Sequence, residues 1–175
     1  MSLLRIRNKA EALLEQLEMR SAPIDVHRVG RELGLRIVTA NLGPGVAGLL
    51  VQRPGSPTVI CVHESDPTTR QRFTIAHEIG HHHLAHKLAG DAEVHVDRGI
   101  IAQRTARSSE GIVDLNEVEA NQFAAALLMP AELIRMRAAE LSQGPLLDRH
   151  LSELAAEFQV SEQAMAIRLV TLDLV

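Results

Sequence analysis

The sequence predicts an α+β fold in which a small three-stranded sheet packs against one long helix and further helices surround both. Three short segments rich in aliphatic and β-branched residues lie between residues 35 and 62, and helical periodicity dominates the chain before and after them. The chain has 175 residues, 46% of them hydrophobic, and one cysteine. At roughly 100 to 200 residues per domain, we expect a single domain over residues 1–175 with an aliphatic core and no internal disulfide.

The N-terminal half is predicted to contain two helices and then the sheet. Apolar residues at three- and four-residue spacings indicate a first helix from residue 3 to about residue 20. Pro23 and Gly34 bracket a shorter second helix, because proline favours the first turn and glycine the position just past the end. Strands are expected at residues 35–40, 47–52 and 58–62, where Cys61 is interpreted as a small core residue rather than a nucleophile.

The C-terminal half is predicted to be helical with one long connection. A helix should begin after Pro67 and end near Gly90, and residues 90–111 lack steady periodicity, which indicates a surface loop. Helices are expected at residues 117–129 and 131–141. A closing helix pair is expected within residues 146–172, at 146–158 and 161–172, with Ser161 as the N-cap of the last helix.

Charge and hydropathy argue against nucleic-acid and membrane partners. Eighteen Lys and Arg against twenty-two Asp and Glu give a formal charge of −4, so the sequence has no overall basic field. The closing helix pair has a spacing like that of a helix-turn-helix, but Arg168 is its only cation between residues 161 and 172, so we expect core packing. No apolar stretch approaches a membrane span and no secretory signal precedes residue 20, so a cytoplasmic protein is expected.

The long helix carries a pattern typical of zinc-dependent hydrolysis. His77 and His81 are one helical turn apart, so both imidazoles can bind one Zn²⁺. Glu78 lies about 100° around the helix, where it can take a proton from a water at the metal and return it to a leaving amine. Such histidine pairs also arise by chance, but the apolar flank of Phe73, Ile75, Ala76 and Ile79 favours a buried ligand helix.

A catalytic zinc site needs a third protein ligand and an open position. Glu117 begins an apolar helix and shares a face with Asn121, which could support a ligand by a hydrogen bond. Glu117 could equally be a partner of the helix dipole, and Glu119 is expected to face solvent. From spacing alone the candidates for the third ligand are His82, His83, His86, His95, Asp97, Asp114, Glu117 and Glu119.

Two sequence blocks together resemble the ImmA/IrrE family of bacterial metallopeptidases. They are QRFTIAHEIGH at residues 71–81 and EVEANQFAAALLMP at residues 117–130, and the resemblance extends to residues 23–35 and 158–169. It implies a gluzincin-like zinc site in which His77, His81 and Glu117 bind the metal and Glu78 is the general base. Mn²⁺ or Fe²⁺ could occupy the same ligands. The implied substrates are Xre-type helix-turn-helix repressors, whose cleavage would derepress stress or mobile-element genes.

The chain also departs from the family pattern. About 20 residues precede Pro23, so the repressor is expected to be a separate protein. His82, His83 and His86 follow the zinc motif where one histidine is usual, and at least two of them are expected at the surface. Because the chain has no tyrosine, the oxyanion donor must be another group, with His95 and Arg98 as candidates. Two alternatives act without cleavage: an anti-repressor that binds its partner, and a toxin–antitoxin component with structural zinc.

Overall fold

The computed structural model describes residues 2–86, 94–97 and 114–175. These residues form an α+β fold, as predicted, with seven helices and a mixed sheet. The elements in chain order are α1 (Leu3–Gln16), α2 (Val26–Glu32), β1 (Arg36–Ala40), β2 (Gly48–Val51), β3 (Val59–His63), α3 (Thr68–His83), β4 (Val94–Asp97), α4 (Leu115–Leu128), α5 (Ala131–Leu141), α6 (Asp148–Phe158) and α7 (Glu162–Thr171).

The sheet has four strands in the described part of the chain, in the order β1-β3-β2-β4. β1 pairs with β3 in parallel, whereas β2 is antiparallel to both β3 and β4. The prediction of three strands was therefore wrong. β4 lies inside the stretch interpreted as a surface loop, because four residues among polar neighbours are too short to show a period. Its pairing partner is β2, where Leu50 is opposite His95.

α3 lies between the sheet and α4 and contacts both. Ile75, Ala76 and Ile79 are buried on it, as the apolar flank predicted. At Gly80 the two helices approach closely, since a Cβ added there would lie 3.2 Å from the Ala120 carbonyl oxygen. Because Gly80 has no side chain, the α3 and α4 backbones can approach each other closely. This approach brings the start of α4 beside the histidines of α3.

α3 ends at His83 and not near Gly90 as predicted. Leu84 caps the helix, and Ala85 then takes a left-handed conformation with φ of 55°. The amide of His86 donates to the carbonyl of His81 at 3.0 Å, so the chain folds back over the last helical turn. This reversal decides where the side chain of His86 lies.

The remaining helices enclose an aliphatic core around α4. α1 packs along α4, and the predicted closing pair is present as α6 and α7. Arg168 on α7 is 2% exposed and donates from Nε to the carbonyl of Met129 at 2.9 Å. Burial lowers its pKa to about 10. The cation of this helix therefore lies in the core, as expected for a packing role.

Two further expectations concern hydropathy and the cysteine. Among the helices that the structure describes, none has the length and apolar character needed to cross a membrane. Cys61 is a free, half-buried thiol on β3, and burial raises its pKa. A raised pKa disfavours the thiolate, which agrees with the interpretation of Cys61 as a packing residue.

Candidate metal centre

The middle of α3 holds the three residues of the predicted zinc motif in the interior. His77 and His81 are each 2% exposed and Glu78 is fully buried. The two histidines lie one helical turn apart, and their Nε2 atoms are 3.0 Å from each other. The helix itself therefore aims two ring nitrogens at one point, as the spacing predicts.

Glu117 in the first turn of α4 supplies the third group at this point. Its Oε1 lies 3.2 Å from His81 Nε2, and its Oε2 lies 3.4 Å from His77 Nε2. Asp114 caps the helix and accepts a hydrogen bond from the amide of Asn116 at 2.9 Å. Of the eight candidates for a third ligand, Glu117 is the one whose carboxylate contacts both histidines, and this depends on the close approach of α3 and α4 at Gly80.

The residues present fit a divalent metal ion. Bonds of 2.0 to 2.1 Å in a tetrahedron place neighbouring ligand atoms about 3.3 Å apart. The contacts of 3.0, 3.2 and 3.4 Å among the two ring nitrogens and the carboxylate oxygens match that separation. His77, His81 and Glu117 could therefore hold one ion through two imidazoles and a carboxylate.

The same groups perturb one another's proton affinities in the metal-free protein. Burial lowers the pKa of His77, but the hydrogen bond to Glu117 and the charge of Glu78 outweigh it and raise the value to about 9. Burial lowers the pKa of His81 to about 4. The Glu117 carboxyl loses solvation by burial, yet its hydrogen bonds to both histidines hold its pKa far below the usual range. The site therefore retains an ionised carboxylate for a cation.

Asn121 supports His77 from the next turn of α4. Its Oδ1 lies 3.1 Å from His77 Nδ1. A carbonyl oxygen can only accept, so Nδ1 of His77 carries a proton, and when a metal binds the lone pair of Nε2 is left to face it. The hydrogen bond predicted for Asn121 from its helical spacing is present, and its role as support of a metal ligand stays a prediction.

Glu78 lies beside His77, His81 and Glu117 but forms no hydrogen bond with them. Neither of its carboxylate oxygens has a hydrogen-bond partner among the described residues. Burial raises the pKa of Glu78 to about 8, and the nearby charge of Asp97 acts in the same direction. A Cβ added at Gly48 on β2 would lie 3.3 Å from Glu78 Oε1, so this glycine makes room for the carboxylate under the sheet.

His95 on β4 completes the surroundings of the cluster. Its Nε2 lies 3.3 Å from Glu117 Oε1 and 3.9 Å from Glu78 Oε1. Ring nitrogens of His77, His81 and His95 and an oxygen of Glu117 all lie within 4.8 Å of one another, so four side chains could contribute to a metal site. The position of β4 could not be inferred from sequence, where the alternation of Val94, His95, Val96 and Asp97 is its only signal.

Ring geometry distinguishes His95 from the two histidines of α3. Two imidazoles bound through Nε2 to one tetrahedral ion radiate from it, which places their ring centroids about 5 Å apart. The rings of His77 and His81 are 4.7 Å apart at 65°, close to that arrangement. The ring of His95 instead stacks on His81 at 3.9 Å and 29°. This favours a three-ligand centre with His95 at its side.

The three histidines after the zinc motif have separate environments. His82 Nδ1 lies 3.0 Å from Gln52 Nε2, and the ring of His83 lies 5.4 Å from that of Phe123, so both are outside the cluster. His86 contacts His81 and Glu119. The prediction that Glu119 faces solvent was wrong: its side chain is 12% exposed and contacts His86 Nε2. Arg98, the other candidate oxyanion donor, lies outside the described residues.

Comparisons with known proteins agree with this fold. The Peptidase_M78 family model, described as the IrrE N-terminal-like domain, matches residues 31–170. Among solved structures, a Mycobacterium tuberculosis transcriptional regulator superimposes with a TM-score of 0.61 at 18% identity, over 94% of this chain and 46% of that chain. The likeness at this identity concerns the fold, and this chain spans less than half of that regulator's length. A search among curated proteins finds no significant match.

Proposed function

The chain belongs to the Peptidase_M78 family of IrrE N-terminal-like domains, and from this membership we propose that it is a zinc-dependent endopeptidase acting on a protein. Membership indicates a metallopeptidase. One observation supports the more specific proposal of a zinc-dependent endopeptidase. His77, His81 and Glu117 converge at ligand distances, while the buried carboxylate of Glu78 stays beside them without a hydrogen-bond partner among the described residues.

The proposed roles follow from what each group can do. A zinc ion held by His77, His81 and Glu117 would polarise a substrate carbonyl and would lower the pKa of a water toward about 7. Glu78 accepts the proton of the attacking water and transfers it to the nitrogen of the scissile amide as the C–N bond breaks. The products are a carboxylate and an amine. Burial raises the pKa of Glu78 above its ordinary value in the metal-free protein, and the charge of a bound divalent ion would lower it again, toward the range in which a group can both take and give a proton at neutral pH.

His95 is the described side chain best placed to assist the substrate carbonyl. Its Nε2 is buried, has no hydrogen-bond partner among the described residues and lies on the Glu78 side of the cluster, 3.9 Å from that carboxylate. An imidazole N–H there can donate to the oxygen on which negative charge develops, a contribution that mutagenesis of other enzymes values at about 3 kcal/mol. The absence of tyrosine from the sequence supports this assignment.

We propose an Xre-type helix-turn-helix repressor as the substrate. The resemblance to the ImmA/IrrE family supports this, as does the description of the mycobacterial structure as a transcriptional regulator. The formal charge of −4 and the burial of Arg168 favour a protein partner over direct contact with DNA. With such a substrate, we also propose that the protein acts in the cytoplasm.

The test is incubation with the Xre-type repressor encoded nearest the gene, with and without Zn²⁺ or Mn²⁺, followed by intact-mass analysis. We expect a metal-dependent cut at one peptide bond. Glu78→Gln is the matched control, because it leaves the three ligands in place and removes the proton acceptor. A repressor that stays intact but leaves its DNA in a stable complex would contradict the peptidase proposal and indicate an anti-repressor.

A further inference from the structure

His81 in the last turn of α3, His86 just after that helix and Glu119 in the second turn of α4 form a hydrogen-bonded chain behind one of the metal ligands. We propose that His86 and Glu119 are positioning residues that fix the tautomer of His81 and strengthen its hold on the metal. This inference rests on the metal site of the proposed function. It assigns a role to two side chains that belong to neither the ligand set nor the proton-transfer step.

The chain consists of two contacts in series. His81 turns Nε2 toward Glu117, at 3.2 Å, and its other ring nitrogen, Nδ1, lies 3.1 Å from His86 Nδ1. His86 Nε2 then lies 3.2 Å from Glu119 Oε2. The side chains of His86 and Glu119 are 6% and 12% exposed, so water competes little for either contact.

One proton arrangement satisfies both contacts when His81 binds a metal. Metal binding needs the lone pair of His81 Nε2, so the proton of that ring is on Nδ1 and is donated to His86. His86 Nδ1 must then accept, which places its own proton on Nε2, facing the Glu119 carboxylate. Each contact has one donor and one acceptor, and the negative charge of Glu119 favours this arrangement over its alternative.

The fold holds His81 to α4 through both ring nitrogens. Nε2 contacts Glu117 directly, and Nδ1 reaches Glu119 through His86, so the two ends of the ring connect to carboxylates two residues apart on one helix. The reversal after α3 makes this arrangement possible. Ala85 has a φ of 55°, and the amide of His86 donates to the carbonyl of His81. His82 and His83 precede the reversal and contact Gln52 and Phe123 instead.

The other histidine ligand has a simpler partner. His77 donates from Nδ1 to a neutral amide oxygen of Asn121. The outer partner of His81 is His86, which in turn contacts the Glu119 carboxylate. A carboxylate raises the basicity of the imidazole more than an amide does. We therefore expect loss of His86 to weaken metal binding, in the range of 10- to 100-fold that removal of an outer partner typically costs.

The experiment measures the zinc dissociation constant by chelator competition for the full-length protein and four variants. His86→Ala should bind zinc about 10- to 100-fold more weakly. Glu119→Gln should weaken binding less, and should have no further effect in the His86→Ala background, because it acts through His86. His82→Ala is the matched control and should bind as the wild type does.

A spectroscopic signature separates positioning from general packing. In zinc-loaded protein with ¹⁵N-labelled histidine, the His81 Nδ1–H proton should be observed and exchange slowly. It should be lost in His86→Ala and restored in part by His86→Gln, whose amide can accept from His81 and donate to Glu119. Equal zinc affinity in wild type and His86→Ala would overturn the inference, as would additive effects of the two substitutions.

The same measurements keep this inference apart from the proposed function. A wild-type protein that binds zinc, shows the expected loss in His86→Ala and cuts no protein would support the positioning role and contradict the peptidase. A protein that cleaves its substrate with unchanged zinc affinity in His86→Ala would do the reverse. Failure of the wild type to bind any divalent metal would overturn both.

Discussion

Replacement of Gly48 by alanine should destabilise the protein mainly through its contact with Thr74, between β2 and α3. The added Cβ would lie 2.3 Å from Thr74 Cγ2, where carbon atoms normally pack at about 3.5 to 4.0 Å. Thr74 is 2% exposed, so its methyl group has little free space to enter. Overpacking of this kind costs about 1 to 3 kcal/mol of unfolding free energy. We expect Gly48→Ala to fall in that range.

Thr74→Ser tests the cause, because it removes the methyl group and keeps the hydroxyl. Alone it should cost about 0.8 kcal/mol, the value of one buried methylene. In the double variant the clash is absent, so its unfolding free energy should be close to that of Thr74→Ser. Urea unfolding of the four metal-free proteins gives the coupling energy. Additive losses would refute the packing of Gly48 against Thr74.

Four further outcomes follow from the site. Glu117→Gln should weaken zinc binding more than the roughly 10- to 100-fold expected for an outer partner, measured by chelator competition. Gly80→Ala should also weaken it, since the new methyl group lies 3.2 Å from the α4 backbone and displaces Glu117; an affinity equal to wild type would argue against the close approach. His95→Gln should lower kcat for repressor cleavage by about 100-fold or more and leave zinc affinity unchanged, whereas loss of zinc would make His95 a ligand. Burial raises the pKa of Glu78 from 4.5 to about 8, so the folded metal-free protein holds a proton that the unfolded chain releases. Its contribution to stability is complete below pH 4.5 and is lost as pH rises toward 8, and urea midpoints should show that Glu78→Gln removes this slope.

The parts of the site that depend on local geometry could be predicted from the sequence. The i, i+4 spacing of His77 and His81 specifies a shared face on any helix, and the spacing of Asn121 from Glu117 does the same on α4. The convergence of α3 and α4 is not local. It was implied by the resemblance to a family, and the structure explains it by the missing side chain at Gly80.

The features that could not be predicted depend on backbone events without a sequence signal. β4 is four residues long and is defined by its pairing with β2, so the brief alternation of its sequence is too short to identify a strand. The end of α3 was placed near Gly90 because glycine commonly follows a helix. The chain instead leaves the helix through Ala85 in a left-handed conformation that alanine seldom adopts. That turn decides the environment of His86, which contacts Glu119, a residue whose helical spacing from Glu117 predicted exposure to solvent.

Native mass spectrometry of zinc stoichiometry tests most directly that His77, His81 and Glu117 hold a metal beside an independent carboxylate. The proteins are wild type, His81→Ala, His82→Ala and Glu78→Gln, each equilibrated with limiting Zn²⁺. The proposed three-ligand site predicts one zinc ion in wild type, His82→Ala and Glu78→Gln, and none in His81→Ala. One zinc ion retained in His81→Ala, or lost from Glu78→Gln, would contradict it.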